Sequence, residues 1–219
     1  MSLSCIEVLT GKEPTSSIIW LHGLGADGRD FEAIVPELKL DPSLTIRFIF
    51  PNAARIPVTV NGGMIMPAWY DILDMSIDRK VDTKQLNQSA IDIIALVEQE
   101  IAKGVPSDRI ILAGFSQGGA VVYQAALTYH KPLAGLLAMS TYLATSETIK
   151  LADNNAKLPL MIMHGTQDPV VPEALGQFAN QFFIDKGFKC QYKTYPMQHS
   201  VCAEQIADIS RWINKTLMS

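Results

Sequence analysis

At 219 residues the chain is long enough for one sizeable core and falls in the usual range of a single α/β domain spanning 1–219. Its 48% hydrophobic and 18% charged residues exclude a disordered chain, and a net charge of -4 without a basic patch excludes general attraction to nucleic acid or an anionic membrane. The start Met1-Ser2-Leu3-Ser4-Cys5-Ile6-Glu7 carries neither a basic nor an apolar leader segment, and no apolar run is long enough to span a bilayer, so a soluble cytoplasmic protein without integral membrane association is expected.

Strand-like runs occur at Ile18 to His22, Ile46 to Pro51, Ile110 to Ala113, Leu133 to Met139, Leu158 to His164 and Lys189 to Tyr195. Most are nearly continuous apolar stretches, as expected for parallel strands covered on both faces. Helical stripes lie between them. Phe31, Ile34, Val35 and Leu38 form a short one, and Leu86, Ala90, Ile93, Val97 and Ile101 a longer one ending before Gly104 and Pro106. Leu175, Phe178 and Phe182 follow Pro172, and Cys202, Ile206, Ile209 and Ile213 mark the last helix; each stripe is expected to face the core. The alternation predicts a mostly parallel central sheet with helices on both faces. Residues 52–81 fit neither period and read as a flap-like insertion, too short for a separate cap domain.

In Gly114-Phe115-Ser116-Gln117-Gly118 a buried strand turns into a helix with a serine at the turn, which is the geometry of an exposed nucleophile. Reactive groups of such sheets gather after the carboxyl ends of strands, so partners of Ser116 should also follow strand runs. A serine hydroxyl needs a base, usually a histidine oriented by a carboxylate. Of the four histidines, His130 reads as a solvated helix end, while His22 and His164 precede glycines at tight turns and read as structural. His199 follows the last strand and is the expected base. Asp168 follows the Leu158 to His164 strand and completes the order Ser, acid, His; Asp27, Asp71 and Asp74 do not. For the oxyanion, the Gln117 backbone amide supplies one donor, and the Leu24 amide in His22-Gly23-Leu24-Gly25 the other. Met64, Ile65, Met66 and Trp69 could line an acyl site or simply pack the flap onto the sheet. Cys5, Cys190 and Cys202 are widely spaced and odd in number, which suggests reduced thiols.

With Leu21-His22-Gly23-Leu24-Gly25-Ala26-Asp27, Gly114 to Gly119, His164-Gly165-x-x-Asp168, His199-Ser200, Pro67-x-Trp69-Tyr70-Asp71-Ile72 and Ser140-Thr141-Tyr142 together, the chain resembles the small carboxylesterases grouped with acyl-protein thioesterases and lysophospholipases. It looks closest to their bacterial carboxylesterase branch, and the similarity runs from about Ile18 to the C-terminal helix. The resemblance implies an α/β-hydrolase fold, Ser116, Asp168 and His199 as triad, Leu24 and Gln117 as oxyanion amides, and no cofactor or metal. It implies a small or lipid-like acyl ester or thioester substrate, with acylated proteins and lysophospholipids beside simple esters. Gln198 departs from the glycine common there, which would strain the His199 loop if that glycine needs a positive φ. The alternatives are a hydrolase fold used only for binding, a peptidase, and a dienelactone hydrolase, although the last generally has cysteine in place of Ser116. Exposed apolar flap residues are compatible with a homodimer.

Overall fold

The computed structural model describes residues 3–76 and 79–218, so Ile77 and Asp78 of the expected insertion lie outside the described residues. In chain order the strands are β1 (Cys5–Leu9), β2 (Ser16–Leu21), β3 (Ile46–Pro51), β4 (Arg55–Val58), β5 (Met64–Pro67), β6 (Ile72–Asp74), β7 (Lys80–Val81), β8 (Ile110–Phe115), β9 (Gly135–Met139), β10 (Leu160–Gly165) and β11 (Cys190–Tyr195). The helices are α1 (Ile34–Glu37), α2 (Thr83–Ala102), α3 (Gln117–Thr128), α4 (Glu173–Asp185) and α5 (Ala203–Met218).

A 7-stranded sheet in the order β1-β3-β2-β8-β9-β10-β11 organises the molecule. Every neighbouring pair is parallel except β1 with β3. The strands β2, β9 and β10 are buried throughout, which explains their unbroken apolar runs. One face of the sheet is covered by α2, α3 and the inner side of α4, through Leu86, Ile93, Val97, Val121, Ala125 and Phe183. The other face is covered by α1 and α5, through Ile34, Val35, Ile209, Trp212, Ile213 and Leu217. After β2 the chain moves to β3 on one side, and later returns to β8 on the other. Strand order therefore reverses between β2 and β8, the place where open parallel sheets leave a crevice for ligands.

Two expectations need correction, and the expected flap gains detail. The Phe31 to Leu38 stripe is buried, yet only Ile34–Glu37 is α-helical; Pro36 lies within it and Lys39 adopts φ 45° just beyond. Residues 52–81 fold into two small antiparallel hairpins, β4 with β5 and β6 with β7. Finally, α4 buries Gly176, Ala179 and Phe183, not the stripe Leu175, Phe178 and Phe182, and Phe178 is left 52% exposed. The buried phase of α4 is set by space: a Cβ on Gly176 would come within 2.4 Å of His164 Nδ1, so only glycine lets the helix approach β10 so closely.

Close approach also explains the glycines around Ser116. A Cβ on Gly118 would lie 2.5 Å from the His22 carbonyl oxygen, and one on Gly114 would lie 2.5 Å from the Gly118 oxygen. These contacts bring the start of α3 against the end of β2. Gly118→Ala is therefore expected to lower stability by about 1–3 kcal/mol, the usual cost of overpacking. Urea unfolding checks this, and an unchanged midpoint would show that the β2–α3 contact yields without cost.

Candidate active site

Ser116 stands between β8 and α3 at φ 52° and ψ -121°, a left-handed backbone that a side chain adopts only under constraint. The constraint is visible in its hydrogen bonds. Its N–H donates to the Met139 carbonyl at 2.9 Å, and its own carbonyl accepts from Thr141 Oγ1 at 2.6 Å and from the Gly119 N–H at 3.0 Å. The serine is thus held from β9 on one side and from α3 on the other.

Ser116 Oγ lies 2.9 Å from His199 Nε2, and His199 Nδ1 lies 2.6 Å from Asp168 Oδ2. The second carboxylate oxygen, Oδ1, accepts the N–H groups of Val170 and Val171 at 2.8 and 2.9 Å. Burial pushes the Asp168 carboxyl up, but its bonds from His199, Val171 and Val170 outweigh this and leave it below its ordinary value. An ionised carboxylate only accepts, so His199 Nδ1 carries a proton toward Asp168 and a neutral ring leaves Nε2 free to accept from the serine hydroxyl. Three loops following β8, β10 and β11 therefore bring together the three side chains expected from sequence. The rival acids serve locally: Asp27 caps the Arg29 N–H, Asp71 accepts from Thr59, and Asp74 accepts from the Ser76 N–H.

The acid and histidine loops cross at Gly165, where a Cβ would meet the Met197 and Gln198 carbonyls at 2.4 and 2.6 Å. Gln198 is exposed and is not among the residues of positive φ, so the strain considered for it is absent. The Phe115 ring packs 4.7 Å from the His199 ring, centroid to centroid, and supports it from the strand side.

The loop after β2 passes over the serine, since a Cβ on Gly23 would sit 3.4 Å from Ser116 Cβ. Gly25 has φ 79° and donates to the Pro67 carbonyl at 2.8 Å, which ties this loop to β5. Among the described residues no hydrogen bond takes up the backbone N–H of Leu24 or of Gln117, the two amides expected to face an oxyanion. His22 anchors the same loop. Its Nε2 accepts the Ala53 N–H at 3.1 Å, which leaves the proton on Nδ1 to donate to the Gly23 carbonyl at 2.7 Å.

Sequence reasoning missed how several residues support this site. The Gln117 side chain accepts the Trp69 N–H at 2.9 Å and donates to the Tyr70 carbonyl at 2.7 Å, locking the start of α3 to the segment after β5. Thr141 binds the Ser116 carbonyl. His164 is fully buried; its Nε2 donates to the Val171 carbonyl at 2.8 Å and so braces the loop that holds Asp168. The recurring Ser140-Thr141-Tyr142 block marked the location of Thr141 but not its bond, which depends on strands distant in sequence.

Burial lowers both His22 and His164 below their ordinary value of 6.5. The unfolded chain therefore binds protons at these rings more readily than the folded one. Their contribution is complete above about pH 6.5 and declines as pH falls through their lowered folded values. The depressed carboxyls of Asp168 and Asp208 add a further loss only below about pH 4. Urea midpoints measured from pH 7.5 to 5 should fall below pH 6.5; a flat series would contradict the neutral histidines.

A cavity of about 650 Å³ opens beside the acid loop between α2, α4 and the segment after β9. Its walls include Tyr142, Leu143, Leu175 and Phe178, with Arg79 and Thr83 opposite in composition. None of Met64, Ile65, Met66 or Trp69 lines it. Trp69 is 4% exposed and its indole N–H donates to the His22 carbonyl, so it is scaffold beneath the oxyanion loop. Met64 and Ile65 are 64% and 60% exposed at the β4–β5 hairpin. Met66 also approaches the oxyanion loop, its sulfur 3.9 Å from the position of a Cβ on Gly25. Among the described residues no three His, Cys, Asp or Glu side chains gather as metal ligands, no helix is long and apolar enough to cross a membrane, and the three cysteines are free.

Comparison with known proteins extends over the whole of this arrangement. The chain is 36% identical over 214 residues to acyl-protein thioesterase 1 of Gibberella zeae, covering 93% of this chain and 91% of the relative. It is 37% identical over 215 residues to the protein of that name in Saccharomyces cerevisiae, covering 93% of each. The crystal structure of Arabidopsis thaliana SOBER1 superimposes with a TM-score of 0.87 at 32% identity, over 92% of this chain and 99% of that one. A family model described as phospholipase/carboxylesterase matches residues 3–217, and the chain belongs to that family of α/β-hydrolases.

Proposed function

We propose that Ser116, His199 and Asp168 form the catalytic triad of this hydrolase, with the Leu24 and Gln117 amides as oxyanion donors. The observation that carries the reading is the continuous pair of hydrogen bonds from Ser116 Oγ through His199 to Asp168. His199 Nε2 takes the serine proton as Oγ attacks the acyl carbonyl, and Asp168 stabilises the imidazolium so formed. The negative charge on the tetrahedral oxygen is met by the two amides, each contributing on the order of 3 kcal/mol. Collapse expels the leaving group, which receives the proton from His199 and leaves an acyl-serine. Water, deprotonated by the same ring, then releases the acid and restores the serine.

As a member of the phospholipase/carboxylesterase family the protein is a carboxylic ester hydrolase. We assign thioesters on acylated proteins and lysophospholipids as further substrates. This is supported by the names of the fungal relatives and by a cavity within the size range of small-molecule sites. In this assignment the acyl portion lies along Tyr142, Leu143, Leu175 and Phe178, and Met66 flanks the scissile carbonyl. The bacterial carboxylesterase resemblance rests on the motif blocks and belongs to the same proposal. So do a cytoplasmic location, supported by three free thiols, and self-association through exposed Met64 and Ile65, which light scattering would reveal as a doubled mass.

The test is a p-nitrophenyl ester series of increasing acyl length, run beside an acylated-peptide thioester and a lysophospholipid. Hydrolysis of esters with a preference that changes along the series is expected. Failure to hydrolyse any of them would overturn the assignment.

A further inference from the structure

The cavity beside the acid loop is apolar on one wall and electropositive on the other. Arg79 supplies the charge. Its Nη2 donates to the Val170 carbonyl at 2.7 Å, and its guanidinium lies 4.7 Å from the centre of the Tyr142 ring. The Tyr142 hydroxyl is itself paired at 2.6 Å with the Tyr70 hydroxyl, so the ring under the guanidinium is fixed. A guanidinium has five N–H donors, and among the described residues no carboxylate lies within 4 Å of this one.

The starts of two helices border the same cavity. Thr83, the first residue of α2, and Ala174 and Leu175 in the first turn of α4 all line the cavity. The N-cap position of α4 is Pro172, which offers no side-chain cap, and Glu173 stands in the first turn of that helix. Asp82 caps the start of α2 through the N–H groups of Lys84 and Gln85 and neutralises that end, while Glu173 accepts from Gln177 and Tyr192. Glu147 is the one carboxylate among the described lining residues, and it is exposed. In a chain of net charge -4, the cavity thus joins an apolar wall to an arginine without a carboxylate partner among the described residues.

The cavity wall is joined to the triad through neighbouring residues of the chain. Tyr142 adjoins Thr141, which binds the Ser116 carbonyl, and Val170, which receives Arg79, donates its N–H to Asp168. We propose that Arg79 and this cavity bind an anionic oxygen group, carboxylate or phosphate, carried by the substrate several atoms from its scissile carbonyl. The inference rests on the Ser116 hydrolase reading and narrows its substrate class. Arg79 becomes the specificity-determining residue of the pocket, and the apolar wall spans the methylenes between the anion and the scissile carbonyl.

The test uses two substrate arms on the intact protein. In the first, p-nitrophenyl half-esters of dicarboxylic acids of increasing length are compared with the same esters capped as neutral methyl esters. In the second, a neutral acyl group is joined to a phenol bearing a phosphate, and compared with the unphosphorylated phenol ester. The ratio of kcat/KM for the anionic to the neutral member is measured in the wild type, Arg79→Gln and Arg79→Lys. One arm should show a ratio that falls about tenfold or more in Arg79→Gln, as for loss of a hydrogen bond to a charged group, and is partly kept in Arg79→Lys. The arm that responds says whether the anion belongs to the acyl chain or to the leaving group. A role for Arg79 confined to bracing Val170 and Asp168 would lower neutral and anionic turnover alike and leave the ratio unchanged. An unchanged ratio in both arms, with neutral esters still hydrolysed through Ser116, overturns the anion site and leaves the hydrolase intact. Absence of hydrolysis of every ester by the wild type removes both.

Discussion

Ser116→Ala is expected to lower kcat for ester hydrolysis by about 10⁶ while leaving the urea midpoint close to that of the wild type. The size follows from the absence of any other nucleophile within the constellation: without Oγ there is no atom for His199 to activate at 2.9 Å, and no covalent route. Folding is spared because the backbone bonds that set the serine at φ 52° run through its N–H and carbonyl, to Met139, Thr141 and Gly119, and alanine keeps them all. The residual rate measures what the oxyanion amides and binding contribute alone. Steady-state kinetics with a chromogenic ester and urea unfolding on the same sample check both halves, and turnover kept within tenfold of the wild type would remove Ser116 from the mechanism.

Asp168→Asn is expected to cost about 10⁴ in kcat, by analogy with the same substitution in other triads, and the structure supplies the reason. Oδ1 accepts two backbone N–H groups, from Val170 and Val171. The carboxamide oxygen must therefore occupy the Oδ1 position, because an NH₂ there would face two donors. The NH₂ is then forced toward His199 Nδ1, where the carboxylate oxygen stood at 2.6 Å. It donates where the carboxylate accepted, so Nδ1 becomes the acceptor, the ring proton moves to Nε2, and the ring can no longer take the serine proton. Asp168→Ala does not impose that wrong tautomer. Kinetics on the two variants, with thermal unfolding as a control for the Val170 and Val171 bonds, separate tautomer control from simple loss of the acid; an Asn variant of wild-type rate would rule out this role for Asp168.

The parallel strands and long helices were legible because burial on both faces writes unbroken apolar runs, as in β2, β9 and β10, and amphipathic stripes, as in α2. The edges were not. In β1, Cys5–Leu9 is short and only partly buried; it is held by its antiparallel ladder with β3, across which Glu7 pairs with Arg47. Arg47 in turn reaches the buried Glu100 of α2, a network that no local pattern discloses. The hairpins within residues 52–81 have strands of two to four residues, too short to establish a period. The phase of α4 misled for a different reason. Its buried face uses Gly176 and Ala179 because β10 and His164 leave no room for more, and the larger Leu175 and Phe178 are thereby turned to the cavity.

The same division holds at the site. Ser116, Asp168 and His199 could be named because each follows a strand in an order that the turn chemistry makes recognisable. The bonds of Gln117 to Trp69 and Tyr70, and of Arg79 to Val170, could not, because they join segments separated by tens of residues. In sequence Trp69 reads equally as an acyl-site residue or as flap packing, and its indole N–H is committed to the His22 carbonyl beneath the oxyanion loop. The α2–α4 cavity is likewise made by tertiary packing, from residues far apart in sequence.

The central claim is that Ser116 is a nucleophile activated by His199. Treatment with a fluorophosphonate followed by peptide mapping tests it most directly. The account predicts a single phosphonyl adduct on the peptide carrying Ser116, absent in Ser116→Ala and strongly slowed in Asp168→Asn. An intact wild type that takes up no label at Ser116, or takes it up at another serine, would contradict it.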